Sequence, residues 1–212
     1  MDLVLFGIQG SGKGTIAKAV ATEYGFELFE MGGELRKMAQ EDSPLGKEVN
    51  ETISAGHLVS DQLIMKIVEN FLEQKSEDTK IIFDGIPRTM EQSKQFDEIM
   101  QKHSRSFNAL LVDIPEEMAM KRLLNRRICV KGTETLPYPD NKEKCEAAGG
   151  QLVPRKDDNP ESIKTRFKAY YDSTQPVIDK YKDQNKLLIL DGTPEIPQVR
   201  KEAFALLEDK FL

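Results

Sequence analysis

A basic excess is missing from this sequence. Its 30 Lys and Arg stand against 36 Asp and Glu, a formal net charge of −6. A protein whose main work is gripping a nucleic-acid backbone usually shows the opposite balance, so that class is set aside. Long hydrophobic runs are missing too: no apolar stretch approaches the roughly 20 residues that span a bilayer, so no membrane partner is expected. The opening residues, Met1 to Gly7, lack the basic region, apolar stretch and cleavage site of a secretory signal. Cysteine is scarce, with two in 212 residues, which excludes a disulfide framework. Internal repeats and low-complexity segments are also absent. What remains is a cytoplasmic α/β domain long enough to bury its own core, with 39% apolar residues.

Short, wholly apolar runs recur along the chain. They are Leu3–Phe6, Ile81–Phe83, Ala109–Val112 and Leu187–Leu190, with a further short strand over Phe26–Phe29. Runs of this kind are strands buried on both faces, as in a parallel sheet. Helical patterns lie between them; over residues 13–24, Ile16, Ala19 and Val20 share a face. Alternation of this sort predicts a parallel five-stranded sheet covered by helices on both sides. Residues 128–159 break the rhythm. They hold Pro137, Pro139, Pro154, Gly149, Gly150 and both cysteines without a helical period, and are read as an inserted flap. A helix is expected from about Pro160, with Pro and Glu161 in its first turn and a kink or division near Pro176. A last helix starts near Pro194 or Pro197.

Gly7 to Thr15 reads G-I-Q-G-S-G-K-G-T and fits the phosphate-loop pattern G-x-x-x-x-G-K. A glycine-rich turn can meet that pattern by accident, so context decides, and here a strand precedes it and a helix follows. Gly10, Gly12 and Gly14 let successive backbone N–H groups turn inward, together with those of Ser11 and Thr15. The helix start adds its partial positive charge, and Lys13 brings a mobile cation to the terminal phosphates. Gly14 stands where many nucleotide hydrolases carry a metal-binding Ser or Thr, and the hydroxyl comes one place later at Thr15. The metal is therefore not expected to be held as a GTPase holds it.

Beyond this loop the chain resembles the adenylate kinases, the long-lid branch of the nucleoside monophosphate kinases. The likeness runs from residue 1 to about residue 205. It rests on G-K-G-T at 12–15, Gly32–Arg36, Gly56–Asp61, Asp84–Thr89, Arg126-Arg127, Arg155–Asp158, Arg166 and Asp191–Thr193, in that order. The fold so implied is a P-loop core over 1–29, 61–127 and 160–212, a helical monophosphate-binding insertion over 30–60 and a lid over 128–159. The implied partners are ATP and AMP, with Mg²⁺ as cofactor and a monomeric state.

Two nucleotides held phosphate to phosphate repel each other strongly in a dry site, and only a cluster of cations offsets this. Six of the nine arginines fall in these motifs. Arginine suits the task because its planar fork binds phosphate oxygens in pairs and stays charged. By the resemblance, Arg36 and Arg88 hold the monophosphate. Arg122 and Arg126 serve the donor, near adenine and phosphates respectively, and Arg155 and Arg166 close over the transferring group. Lys13, Arg88, Arg126, Arg155 and Arg166 form the catalytic set. Arg127 is read as making a structural ion pair. Gln92, one helical turn beyond Arg88, carries an amide that donates and accepts, and so suits the adenine edge of the acceptor; the plain alternative is an exposed helix glutamine. Met31, Gly85 and the backbone at His57, Leu58 and Val59 line the same pocket, with His57 a wall residue rather than a proton shuttle. Asp84, ending a buried strand, can hold Mg²⁺ through waters; a turn or capping role is its alternative.

Some positions depart from the family pattern. Met31 and Gly33 replace a hydroxyl residue and an aspartate, Ile86 replaces phenylalanine, and Pro194 stands where lysine is common. Met31 loses a hydrogen bond near the acceptor base, which weakens base specificity, while the cations stay intact. In the flap, Cys129 and Cys145 occupy the first places of two pairs that bind zinc in some relatives, but Gly132 and Ala148 occupy the second. Structural zinc wants four ligands, the flap has no histidine, and Asp140 and Glu143 are poorly spaced, so no zinc is expected. A Cys129–Cys145 disulfide is conceivable in a hairpin, but a reducing cytosol opposes it, and both are read as reduced thiols packing as small hydrophobes.

The expected activity is reversible phosphoryl transfer from Mg-ATP to AMP, giving two ADP. A UMP/CMP-type kinase is the near rival, opposed by the long lid and Gln92. A nucleotide-sensing protein with little turnover would lack arginines, and none is missing. A P-loop switch hydrolase is opposed by Gly14 and the second arginine cluster.

Overall fold

A computed structural model describes residues 1–132, 134–135, 142–155 and 157–211. Pro137, Pro139 and Asp140 of the expected flap, and Lys156, lie outside the described residues. In chain order the first elements are β1 (Asp2–Phe6), α1 (Lys13–Tyr24), β2 (Glu27–Glu30), α2 (Met31–Met38), α3 (Pro44–Ser54), α4 (Asp61–Leu72), β3 (Ile81–Asp84), α5 (Met90–Lys102), β4 (Phe107–Asp113) and α6 (Glu116–Asn125). Then follow β5 (Arg127–Lys131), β6 (Glu134–Thr135), α7 (Lys142–Ala147), β7 (Gln151–Pro154), α8 (Pro160–Ala169), α9 (Gln175–Asp183), β8 (Leu187–Asp191) and α10 (Ile196–Phe211).

The main sheet has five strands in the order β2-β3-β1-β4-β8, and every pairing is parallel. Val4 of β1 lies beside Phe83 on one side and Ala109 on the other. Alternate side chains enter two separate cores, which is why the strands carry no polar face. Leu3, Leu5, Ile82, Leu110 and Leu190 pack beneath α1 and α10. Val4, Phe6, Phe83, Ala109 and Leu111 pack beneath α4, α5, α8 and α9. Across that second face runs a chain of rings, Phe29, Phe83, Phe96, Phe107 and Tyr181, with centroids 5.1–5.8 Å apart. On α1 the buried face is Ile16, Ala17 and Val20, so Ala17 takes the place expected of Ala19.

The amino ends of the strands are tied by one ion pair. Arg105 Nε and Nη2 donate to the two Asp2 oxygens at 2.7 and 2.8 Å, and Ile81 N donates to Asp2 Oδ1 at 2.9 Å. At the carboxyl ends, β1, β3 and β8 instead open into loops that carry the phosphate loop, Arg88 and Gly192.

The helix from Pro160 starts as expected: Asn159 caps it, accepting from Ser162 N at 2.9 Å. It is divided just before Pro176 by a π-helical turn, Tyr170–Thr174. The flap differs from its reading in one respect: the stretch without a helical period holds a short helix, α7, packed on a three-stranded antiparallel sheet, β6-β5-β7. The cysteine reading is corrected as well. Cys129 on β5 and Cys145 on α7 are joined as a disulfide, with Cα atoms 5.8 Å apart. The β5–β7 pairing and the turn before β7 bring the two within bridging range, which no argument from cellular redox state could foresee.

Candidate functional site

A cleft of about 800 Å³ opens along the carboxyl ends of the strands. Its floor is the phosphate loop between β1 and α1. Gly10 has φ +92°, and a Cβ there would lie 2.7 Å from Ala119 O, so only glycine permits this close approach to α6. The N-cap of α1 is Gly12, which has no side chain to cap it, and the first turn holds no acidic residue. Thr15 N and Ile16 N both donate to Gly12 O, so the N–H of Gly14 and the partial positive charge of the helix start are left for the cleft. Gly12, Gly14 and Thr15 line it. Ser11 does not: it is buried, and its Oγ accepts from Lys13 N at 3.4 Å.

Lys13 lies on the floor with its Nζ 3.8 Å from Asp84 Oδ1. Burial lowers the Lys13 pKa; Asp84 opposes this, and Arg88, Arg126 and Arg155 add to it. A cation in this state is starved of negative charge, which an anionic ligand supplies. Asp84 ends β3, next to β1, and its Oδ1 is buried without a hydrogen-bond donor. A buried carboxylate oxygen left open on the wall of a phosphate-sized cleft fits a hydrated divalent cation.

All six expected arginines converge on this cleft, together with Arg127. Arg122 bridges two loops, donating to Ser11 O at 3.2 Å and Gly192 O at 3.1 Å. Arg88 donates from Nε to Gly85 O at 2.8 Å, and its pKa is lowered first by burial. Gly85 has φ +88°, and a Cβ there would lie 2.9 Å from Arg88 Nη2, so glycine clears the path of the guanidinium. Arg36, on α2, is drawn down to about 10, first by desolvation and then by the Arg155 cation. Arg127 does not make the expected ion pair among the described residues. It donates to Leu124 O and Arg126 O, at 3.1 and 2.8 Å.

Two carboxylates hold the remaining arginines. Arg126 forks onto Asp158 at 2.7 and 2.8 Å. Arg166 reaches the same Asp158 at 2.8 Å and also donates to Asp157 O at 2.7 Å. Arg155 forks onto Asp157. Burial alone would raise Asp157, but the hydrogen bonds and charge of Arg155, with Arg166, outweigh it and hold the carboxyl below its usual range. These two aspartates take up guanidinium donors of the kind that also bind phosphate oxygens. The sequence reading gave them no role, although the run Arg155-Lys156-Asp157-Asp158, cation beside anion, was visible.

At the other end the cleft turns apolar, with Met31, Ile53, Leu58, Val59 and Ile64 on its walls. His57 stands at the exposed rim. Gln92 is not the exposed helix glutamine of the alternative reading. It is 2% exposed, lines this end, and bonds to Asp61 and to the backbone of Arg88. Asp61, another residue given no role beforehand, is thus drawn into the site.

A long cleft with a cationic middle and an apolar end suits two phosphate-bearing ligands placed end to end. Among the described residues no group of three or more His, Cys, Asp or Glu could hold a metal ion, and no helix is long and apolar enough to cross a membrane. The sequence model of the family described as adenylate kinase matches residues 5–186. The chain is 37% identical over 204 residues to an adenylate kinase of Clostridium tetani, covering 94% of each. It is 37% identical over 213 residues to one of Archaeoglobus fulgidus, covering 98% of each. To one of Petrotoga mobilis it is 37% identical over 213 residues, covering 98% of this chain and 97% of the relative. With a glycine-rich phosphate loop and nine Lys and Arg side chains around one cleft, the chain belongs to the adenylate kinase family and is a phosphotransferase.

Proposed function

We propose that this protein catalyses reversible transfer of the terminal phosphoryl group of Mg-ATP to AMP, yielding two ADP. The observation that carries this reading is the single cleft in which Lys13 and six motif arginines meet, with an apolar pocket and a polar amide beyond them. The phosphate loop and Lys13 hold the donor phosphates, and Arg122 lies against the donor adenosine. Arg36 and Arg88 hold the acceptor phosphate. Arg126, Arg155 and Arg166 exchange their aspartate partners for oxygens of the transferring group. Met31, Leu58, Val59 and Gln92 take the acceptor base, with Gly85 leaving room for the phosphate and His57 closing the rim.

An oxygen of the acceptor phosphate attacks the terminal phosphorus, and the bond from that phosphorus to the bridging oxygen breaks. The acceptor is already ionised, so no general base is required, and catalysis is positioning plus charge compensation. Asp84 would hold Mg²⁺, which when bound offsets the charge of the phosphate oxygens. Residues 30–60 and 128–159 act as two covers whose closure excludes water, so that ATP is not merely hydrolysed. A coupled assay with AMP, UMP and CMP in turn tests the reading. AMP is expected to be used far faster than either pyrimidine nucleotide. Faster use of UMP or CMP, or ATP hydrolysis without an acceptor, would overturn it.

A further inference from the structure

We propose that Asp61 is a positioning residue that locks the amide of Gln92 in one orientation, and so makes the acceptor pocket reject bases bearing a keto group in place of an amino group. This rests on the reading above that the apolar end of the cleft takes the base of a monophosphate acceptor.

The lock is legible in the partners. Gln92 Nε2 donates to Asp61 Oδ1 at 2.7 Å, and Gln92 Oε1 accepts from the backbone N–H of Arg88 at 2.7 Å. A carboxylate can only accept and a backbone N–H can only donate, so both partners assign the amide the same way. Turning it over would set oxygen against carboxylate and N–H against N–H in a residue that is 2% exposed. The partners are themselves held. Thr89 Oγ1 donates to Asp61 Oδ2 at 3.1 Å while accepting from Gln92 N at 3.0 Å. Thr174 Oγ1 donates to Arg88 O at 3.1 Å. Asp61 opens α4 and Gln92 lies in the first turn of α5, so the pair also joins two helices.

An amide offers two N–H donors and two acceptor lone pairs, and one of each is used here. One donor and one acceptor are left for the pocket, in a fixed order. Adenine presents an exocyclic N–H donor beside a ring-nitrogen acceptor. Hypoxanthine and guanine present a carbonyl acceptor beside a ring N–H donor, the reverse order. A glutamine free to rotate would serve both classes; a locked one serves the first and opposes the second.

The test compares kcat/KM for AMP, purine riboside 5′-monophosphate and IMP. Purine riboside lacks the 6-substituent, so it forfeits one bond without creating a clash. The expected order for the wild type is AMP, then purine riboside monophosphate, then IMP. IMP used better than purine riboside monophosphate means a freely turning amide and overturns the lock. Asp61→Asn replaces a pure acceptor by a group that can also donate. The AMP-to-IMP ratio of kcat/KM is expected to fall by about tenfold or more in that variant. Equal loss with both nucleotides leaves the ratio unmoved and would make Asp61 merely structural. If the variant does not fold, the wild-type order alone decides. A wild type that does not use AMP overturns the acceptor reading instead, an outcome distinct from an unmoved ratio.

Discussion

Two arginine–aspartate forks sit at opposite ends of the strands. Arg105 grips Asp2 at 2.7 and 2.8 Å, and Arg126 grips Asp158 at the same two distances. Their surroundings differ. The Arg105 and Asp2 side chains are 6% and 2% exposed, whereas Arg126 is 34% exposed above an Asp158 that is 2% exposed. Arg105 also donates to backbone oxygens of Ser76 and Thr79, while Asp158 is shared with Arg166. The same bond therefore serves two ends. Sealed in, it is part of the architecture; opened on one side, it is proposed to be a placeholder that a stronger anion displaces.

The sharpest way to break this contrast is to remove a cation from the open end. Lys13→Met is expected to cut turnover by about 10²–10³-fold while thermal unfolding stays near the wild-type midpoint, because a buried charge is lost along with the phosphate contact. Steady-state kinetics beside a melting curve checks both halves. At the sealed end, Asp2→Ala strands the Arg105 cation and should cost about 3–5 kcal/mol by denaturant titration. ATP should not restore that loss selectively. Asp158→Asn should lower the midpoint of the free protein by less, roughly a few degrees, since water reaches Arg126. There the rise in midpoint on adding ATP should exceed the wild-type rise, because polyphosphate supplies the missing anion. An ATP-induced rise no larger than in wild type would argue against the placeholder role.

The smallest effect is with pH. Lys13 has its folded pKa lowered below the ordinary lysine value. Between those two values the unfolded chain holds a proton that the folded one has released. Lys13 therefore contributes a stability that rises with pH in that window, while its grip on phosphate weakens. KM for ATP is expected to climb already below the pH at which an ordinary lysine discharges, because Lys13 gives up its proton earlier, and the rise should be absent in Lys13→Met.

The main sheet was legible because its central strands β1, β3 and β4 are buried from both sides, and a run such as Leu3–Phe6 has no other economical reading. The phosphate loop was legible through composition and spacing, and the six arginines through the resemblance to the adenylate kinases. The small sheet was not. Arg127–Lys131 reads Arg-Ile-Cys-Val-Lys, short and half exposed, and its pairing with Gln151–Pro154 depends on contacts distant in sequence. The disulfide was weighed and set aside on the expectation of a reducing cytosol, whereas the Cα separation that decides it is a property of the folded hairpin. Asp61, Asp157 and Asp158 stand in runs that mark the resemblance but carried no role there, and only the groups folded around them give them one. Gln92 was noticed for its chemistry, but its burial and fixed partners came from the helix pair that encloses it.

The stems of the small sheet carry a consequence for how such a chain can diversify. Arg127 and Pro154 face each other as register partners, so the insertion leaves and rejoins the scaffold one strand spacing apart. Everything beyond that doorway, crosslink included, is attached through two adjacent ends. Loop closure costs little more for a longer excursion than for a shorter one. A cassette of different length, or one braced by other chemistry, can thus be exchanged at this doorway without disturbing a residue of the parallel sheet.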